Sequence, residues 1–224
     1  MQHGILVTFE GIEGCGKSTQ ARLLEDFLRT RGYPVMLTRE PGHGEFGQSI
    51  RSILVGGAAE KIDALTELFL LEADRTHHVN RFIRPALDQG EVVICDRFSD
   101  SSLAYQGYGR GIAVDFVNRL NNAATSNLAP DLTIILDLDT HFSLERSQTR
   151  LRQQDLFDKE GRFEREGMSF HQRVREGYLK IAHGEPQRCH VFDGTLDIDA
   201  LSQQISRLVL TRLAQFFQIK DITG

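Results

Sequence analysis

The strongest constraint on this chain is one eight-residue stretch, Gly11-Ile12-Glu13-Gly14-Cys15-Gly16-Lys17-Ser18. It follows the apolar run Ile5-Leu6-Val7-Thr8-Phe9 and precedes a segment where Ala21, Leu24, Phe27 and Leu28 recur at helical spacing until Gly32 stops the pattern. Gly-x4-Gly-Lys-Ser between a strand and a helix is the spacing of a phosphate-cradling loop. In such a loop the glycines let successive backbone N–H groups turn inward around a phosphate. Lys17 reaches the outer phosphates and the Ser18 hydroxyl can ligate Mg2+. The expected ligand of Gly11 through Thr19 is therefore a nucleoside triphosphate.

The rest of the chain alternates strand-like and helix-like segments. Pro34-Val35-Met36-Leu37-Thr38 reads as a second strand, running into the turn Arg39-Glu40-Pro41-Gly42-His43-Gly44. Residues 46 to 55 carry a helical pattern around Arg51, and residues 60 to 89 a longer one with a break expected near Pro85. Glu91 to Asp96 and Leu132 to Asp137 are apolar runs ending in an acid, and Cys189 to Phe192 is a short fifth strand. Runs without polar alternation imply burial on both faces, as in a parallel sheet. Helices are expected over 112 to 124, from about 141, over 169 to 183 and at the end of the chain. The expected fold is a doubly wound α/β domain: a five-stranded, mainly parallel sheet flanked by helices. Right-handed crossovers then gather Glu13, Lys17, Arg39, Asp96 and Arg97 at the carboxyl edge of the sheet. The charge-dense stretch from about 150 to 166 is poor in core residues and is expected to be either a functional flap, forming a short lid, or a disordered segment, within a single domain spanning 1 to 224.

Composition narrows the partners. A net charge of −5 argues against wholesale binding to nucleic acid, and no apolar run reaches the roughly 18 residues of a membrane span. Met1-Gln2-His3-Gly4 leads directly into the first strand without a signal-like segment, so a cytoplasmic location is expected. Only five of the 26 basic residues are Lys; the arginine-rich remainder suits bidentate phosphate recognition. Cys15, Cys95 and Cys189 fit reduced thiols filling small volumes better than disulfides or a metal site.

Four pieces together resemble the thymidylate kinase family. They are Phe9-Glu10-Gly11 through Thr19, Thr38-Arg39-Glu40-Pro41-Gly42, Asp96-Arg97-Phe98 with Ser101 and Ala104-Tyr105-Gln106, and the lid-like Arg162-Phe163-Glu164. The resemblance runs in order along nearly the whole chain. It implies a P-loop NTPase-type fold and transfer of the ATP γ-phosphoryl group to dTMP with Mg2+, yielding dTDP and ADP. By resemblance, Arg39, Arg51 and Arg97 hold the acceptor monophosphate and Glu13 contacts the sugar hydroxyl. Leu71, Arg75, Ser102, Tyr105 and Gln106 then surround the thymine and deoxyribose. Asp96, at a strand end, takes the place of the second acidic residue near the metal in P-loop proteins; with Ser18 it is assigned to the metal, and with Lys17 and Arg97 to catalysis.

Some relatives carry the transition-state arginine at the position of Gly14 and others in the lid. A glycine cannot supply it, so Arg150, Arg152, Arg162 and Arg165 become candidates, with Arg162 the best match to the lid pattern of the bacterial type. Leu71 departs from the family, where a Phe commonly stacks on the base; Phe69 would lie on another helix face, about 200° away for a two-residue shift. A homodimer through helices beside the sheet is raised by resemblance alone. Two other functions stay open on the residues themselves. One is a kinase acting on dUMP, UMP, CMP or a nucleoside. The other is a nucleotide-binding switch, against which stands the lack of an Asn-Lys-x-Asp motif.

Overall fold

A computed structural model describes residues 4–56 and 62–223, with side chains as far as 216. Expectations for Met1 to His3, and for a helix starting at residue 60, fall outside the described residues. Five strands, β1 (Ile5–Glu10), β2 (Val35–Arg39), β3 (Val92–Asp96), β4 (Leu132–Asp137) and β5 (Cys189–Asp193), form one parallel sheet in the order β2-β3-β1-β4-β5. Between them run α1 (Lys17–Arg29), α2 (Gly44–Val55), α3 (Ala64–His78), α4 (Arg84–Asp88), α5 (Ser99–Ser102), α6 (Val114–Thr125), α7 (Thr140–Gln153), α8 (Phe157–Glu160), α9 (Met168–Gly184) and α10 (Ile198–Thr223). The doubly wound parallel sheet anticipated from the apolar runs is the observed fold.

Strand alternation sorts the core into two faces. Ile5, Val7 and Phe9 of β1 face α1 and α10 together with Val92, Ile94, Leu132, Ile134 and Leu136. On the other face Leu6, Val93 and Cys95 pack near α4, and Ile135 packs with α6 and α9. Thr8 and Glu10 share that second face by parity, and Thr8 bonds Thr133 of β4 at 2.9 Å. All three cysteines are buried and free.

Register decides what meets at the carboxyl edge. Phe9 and Arg39 both align with Asp96, so the P-loop entrance, the β2 turn and the carboxylate at the end of β3 stand in one row. That row lies where connections leave the sheet in opposite directions, β1 and β3 being neighbours, which is the crevice that open α/β sheets use for ligands.

Pro85 corrects one expectation. The helix does not break there; a π-helical turn at Val79–Ile83 carries α3 into α4, and Pro85 occupies the first turn of α4. The widened turn relieves the clash that a proline ring makes with the carbonyl four residues back. A second π-helical stretch, Leu103–Gly109, continues α5 where the sequence showed no helix period. α9 packs on it closely: a Cβ on Gly177 would come within 2.7 Å of the Tyr108 ring.

Candidate active site

A cavity of about 630 Å3 opens at the carboxyl edge. Its wall contains Glu13, Gly14, Gly16, Lys17, Ser18 and Thr19 at one end, and Arg39, Arg51, Leu71, Arg75, Arg97, Ser102, Tyr105 and Gln106 at the other. Asp96 lines it as well. Gly11, Ile12 and Cys15 lie beneath it rather than on its wall, each buried.

The donor end is almost entirely local. Gly16 caps α1 in a left-handed conformation with no side-chain cap, so amides of the first turn remain for an anion. Gly14 has φ +77, and a Cβ there would lie 2.1 Å from the Ser143 carbonyl. An arginine side chain therefore does not fit at position 14 in this backbone, in line with a transition-state arginine from elsewhere. The Lys17 ammonium donates to the carbonyls of Gly11 (3.0 Å) and Ile12 (2.8 Å). Ser18 donates to Asp96 Oδ2. This hydroxyl and carboxylate, adjacent on the cavity wall, are hard oxygen donors of the kind Mg2+ takes alongside phosphate oxygens.

The acceptor end is assembled from distant segments. Arg97 donates to the Gly11 carbonyl (3.1 Å), Glu13 (3.1 Å), the Tyr105 hydroxyl (3.1 Å) and the Tyr178 hydroxyl (3.2 Å). Tyr105 also donates to Glu13, and His171 Nδ1 lies 3.4 Å from the other Glu13 oxygen. Burial alone would raise the Glu13 carboxyl, but His171, Arg97 and Lys17 outweigh it and hold the group well below the usual carboxylate range. Arg39 has no ion pair or side-chain hydrogen bond among the described residues. Desolvation first and the neighbouring Arg51 second lower its pKa, outweighing the opposing pull of Glu160 and Asp96. Arg51 bonds Glu160 of α8 at 2.9 Å.

Arg75 is fully buried and spends its guanidinium on protein partners. It donates to Glu40 (2.8 Å), Glu72 (2.6 Å), Ser102 (2.9 Å), Asn121 (2.7 Å) and the Phe98 carbonyl (3.0 Å). Glu40 also meets His78 Nδ1 at 2.9 Å, and His78 Nε2 bonds Thr38 at 2.7 Å. Glu40, His78 and Cys95 have atoms close enough to hold a metal, yet both Glu40 oxygens and both His78 nitrogens are already engaged in this support for Arg75. Asp74, next in the chain, is buried beside Glu40; burial first and Glu40 second push its carboxyl up to about 6.

The stretch expected to be a lid differs most from the sequence expectation. Arg162 does not line the cavity: it donates to Glu67 and to the Leu54 carbonyl (2.9 Å). Glu67 is wholly buried and also accepts from Arg110 (3.0 Å) and Gln106 (2.6 Å), so one buried carboxylate, shared with Arg110, holds Arg162 at α3. Arg146 and Arg150 line the cavity instead, four residues apart on one face of α7 with Gln153. Arg152 and Arg165 lie off the wall, Arg165 pairing with Asp158 at 2.8 Å. Arg146 was missed by sequence reasoning, although helical spacing back from Arg150 pointed to it. His171 and Tyr178 carried no local signal, because only packing brings them to the site, whereas Glu72 pairs with Arg75 at the i,i+3 spacing of α3. Phe69 is half exposed and outside the cavity, while Leu71 lines it, as helix geometry required.

Fold and site together define a P-loop enzyme of the NTPase type, with a phosphate loop facing an arginine-rich pocket across one cavity. The sequence profile described as thymidylate kinase matches residues 9–205. The thymidylate kinase of Desulfovibrio desulfuricans is 49% identical over 191 residues, covering 85% of this chain and 88% of that one. The thymidylate kinase of Pelobacter propionicus is 48% identical over 207 residues, covering 92% and 94%. A crystal structure of thymidylate kinase from Ehrlichia chaffeensis superposes with a TM-score of 0.73 at 35% identity, covering 92% of this chain and 99% of that one. The chain belongs to the thymidylate kinase family.

Proposed function

We infer that the chain transfers the γ-phosphoryl group of ATP to dTMP, releasing dTDP and ADP. The observation that carries this is the single cavity bounded by the P-loop on one side and by Arg39, Arg51 and Arg97 on the other. Transfer between two anionic nucleotides needs cations on both phosphate groups and preorganised charge around the moving one. Lys17 and the amides at the start of α1 hold the triphosphate. The three arginines orient the acceptor phosphate, and Glu13, held by Arg97 and Tyr105, is the acceptor for a sugar hydroxyl. Arg75, Ser102, Gln106 and Leu71 form the base pocket, Leu71 giving apolar contact without aromatic stacking. Ser18 and Asp96 would hold Mg2+, which neutralises charge on the phosphates when bound.

Residues 150 to 166 act as a lid on a single domain, excluding water so that the phosphoryl group reaches the nucleotide acceptor. Within that lid Arg162 has to leave Glu67 to approach the phosphates. Arg150 is a second candidate for the transition-state cation, favoured by its place on the cavity wall. Among the described residues no helix is long and apolar enough to cross a membrane. A cytoplasmic location and a homodimer are proposed on family grounds. An ADP-release assay with ATP-Mg against dTMP, dUMP, UMP, CMP and thymidine tests the acceptor; equal or greater turnover with any other acceptor overturns the dTMP assignment.

A further inference from the structure

Glu10 is wholly buried at the end of β1, lies off the wall of the active-site cavity and forms no ion pair among the described residues. Its hydrogen bonds all run toward Arg97. One carboxylate oxygen accepts from the Phe98 backbone N–H at 2.7 Å, immediately after Arg97. The other accepts from the Ser101 hydroxyl at 2.6 Å and the Tyr178 hydroxyl at 2.8 Å. Those same two hydroxyls accept from the Arg97 guanidinium, at 3.4 Å and 3.2 Å. Arg97 itself has φ +74, a left-handed conformation that a non-glycine residue adopts only when its surroundings hold it there.

The direction of each bond matters. Burial first and Asp100 second push the Glu10 carboxyl up to about 7. When ionised it only accepts, so the Ser101 and Tyr178 hydroxyls, 2.9 Å from one another, both direct their protons to it and leave their lone pairs to Arg97. A neutral amide in the same place would keep its oxygen on the Phe98 N–H and turn its NH2 toward the hydroxyls. Each hydroxyl accepting that donor then directs its proton elsewhere, toward the other hydroxyl or the guanidinium, and the support of Arg97 is lost.

We propose that Glu10 is a positioning residue for phosphoryl transfer: it holds the left-handed turn at Arg97 and sets the direction of the Ser101 and Tyr178 hydroxyls that aim its guanidinium at the acceptor. This rests on the reading of Arg97 as an acceptor-phosphate ligand. Glu10→Gln preserves size and the backbone bond, and so separates aiming from folding.

The test is ADP release by Glu10→Gln and Arg97→Ala beside the wild type, with dTMP varied at saturating ATP and ATP varied at saturating dTMP. Glu10→Gln is expected to lower kcat/KM for dTMP about tenfold, the scale of a lost hydrogen bond to a charged group, and to leave the KM for ATP within about twofold. If Arg97→Ala cripples dTMP turnover while Glu10→Gln leaves its kcat/KM unchanged, or damages both substrates equally, the proposal is overturned. A silent Arg97→Ala overturns instead the Arg97 reading beneath it. Should Glu10→Gln not fold, Ser101→Ala with Tyr178→Phe removes both intermediaries while keeping the Glu10 bond to Phe98. That double variant is expected to show the same acceptor-selective loss, and unchanged dTMP kinetics in it likewise overturn the proposal.

Discussion

The two ends of the cavity are built on different principles. The donor end is a continuous stretch, residues 11 to 19, whose loop conformation follows from glycines at fixed spacing and a helix start. The acceptor end draws on β2, α2, α3, the turn after β3, the π-helical stretch after α5 and α9. Several of its charges are held by buried partners, Arg75 by Glu40 and Glu72 and Glu13 by Arg97, while off the cavity wall Glu67 holds Arg110 and Arg162. A local loop needs little support from the rest of the fold. A dispersed pocket depends on every strut, because a buried charge deprived of its partner is costly.

The sharpest way to break this comparison is to remove one cation from each end. Arg97→Ala is expected to reduce kcat/KM for dTMP by roughly 10²–10³-fold while ATP binding persists, whereas Lys17→Ala weakens ATP binding as well as turnover. Equilibrium nucleotide binding beside steady-state kinetics distinguishes them, and matching profiles would erase the distinction between the ends. In the lid, removal of the transition-state arginine is expected to lower kcat about 10²-fold or more with a smaller change in the KM for ATP. Comparing Arg162→Ala with Arg150→Ala decides which residue serves. A large effect of Arg162→Ala means that it leaves Glu67 during turnover; a large effect of Arg150→Ala alone assigns the role to α7.

Stability should divide the two ends in the same way. Arg75→Ala leaves Glu40 and Glu72 buried without their cation and is expected to cost about 3–5 kcal/mol in denaturant unfolding. Ser18→Ala, exposed in the first turn of α1, is expected to stay within about 0.5 kcal/mol of wild type. The smallest effect concerns pH. Because the folded-state pKa of Asp74 is raised to about 6, the native protein binds more protons than the unfolded chain between the ordinary carboxylate range and that value. Its contribution to stability therefore falls as pH rises through that window. Thermal melts of Asp74→Asn and wild type are expected to converge or cross in favour of the variant as pH rises from about 4 to about 7. A constant difference in Tm would mean that Asp74 stays ionised throughout.

Particular residues show how much was legible beforehand. Glu13, Lys17, Arg39, Asp96 and Arg97 were assigned to one edge from strand ends alone, and all five line the cavity. Leu71 and Phe69 were separated by helix geometry, and the cavity takes Leu71. Arg162 was expected to face the phosphates because it best matched the family's lid pattern, but Glu67, nearly a hundred residues earlier in the chain, holds it. Pro85 suggested a break that a wider turn absorbed. Neither the partner of a long side chain nor the accommodation of a proline by a π-turn is visible in residue periodicity.

The sequence by itself determined the phosphate loop, the parallel sheet and the family, since all three are written in short contiguous patterns: a glycine spacing, apolar runs and ordered motifs. Only the tertiary structure decided where each arginine donates and which acids hold it. A guanidinium reaches several ångströms from its backbone and has five N–H donors, so its partners are selected by packing and burial among segments remote in sequence. Glu10 joins both kinds of information. Its place just before the phosphate loop is evident in the chain, but its bonds to Phe98, Ser101 and Tyr178 exist only because β1, α5 and α9 meet.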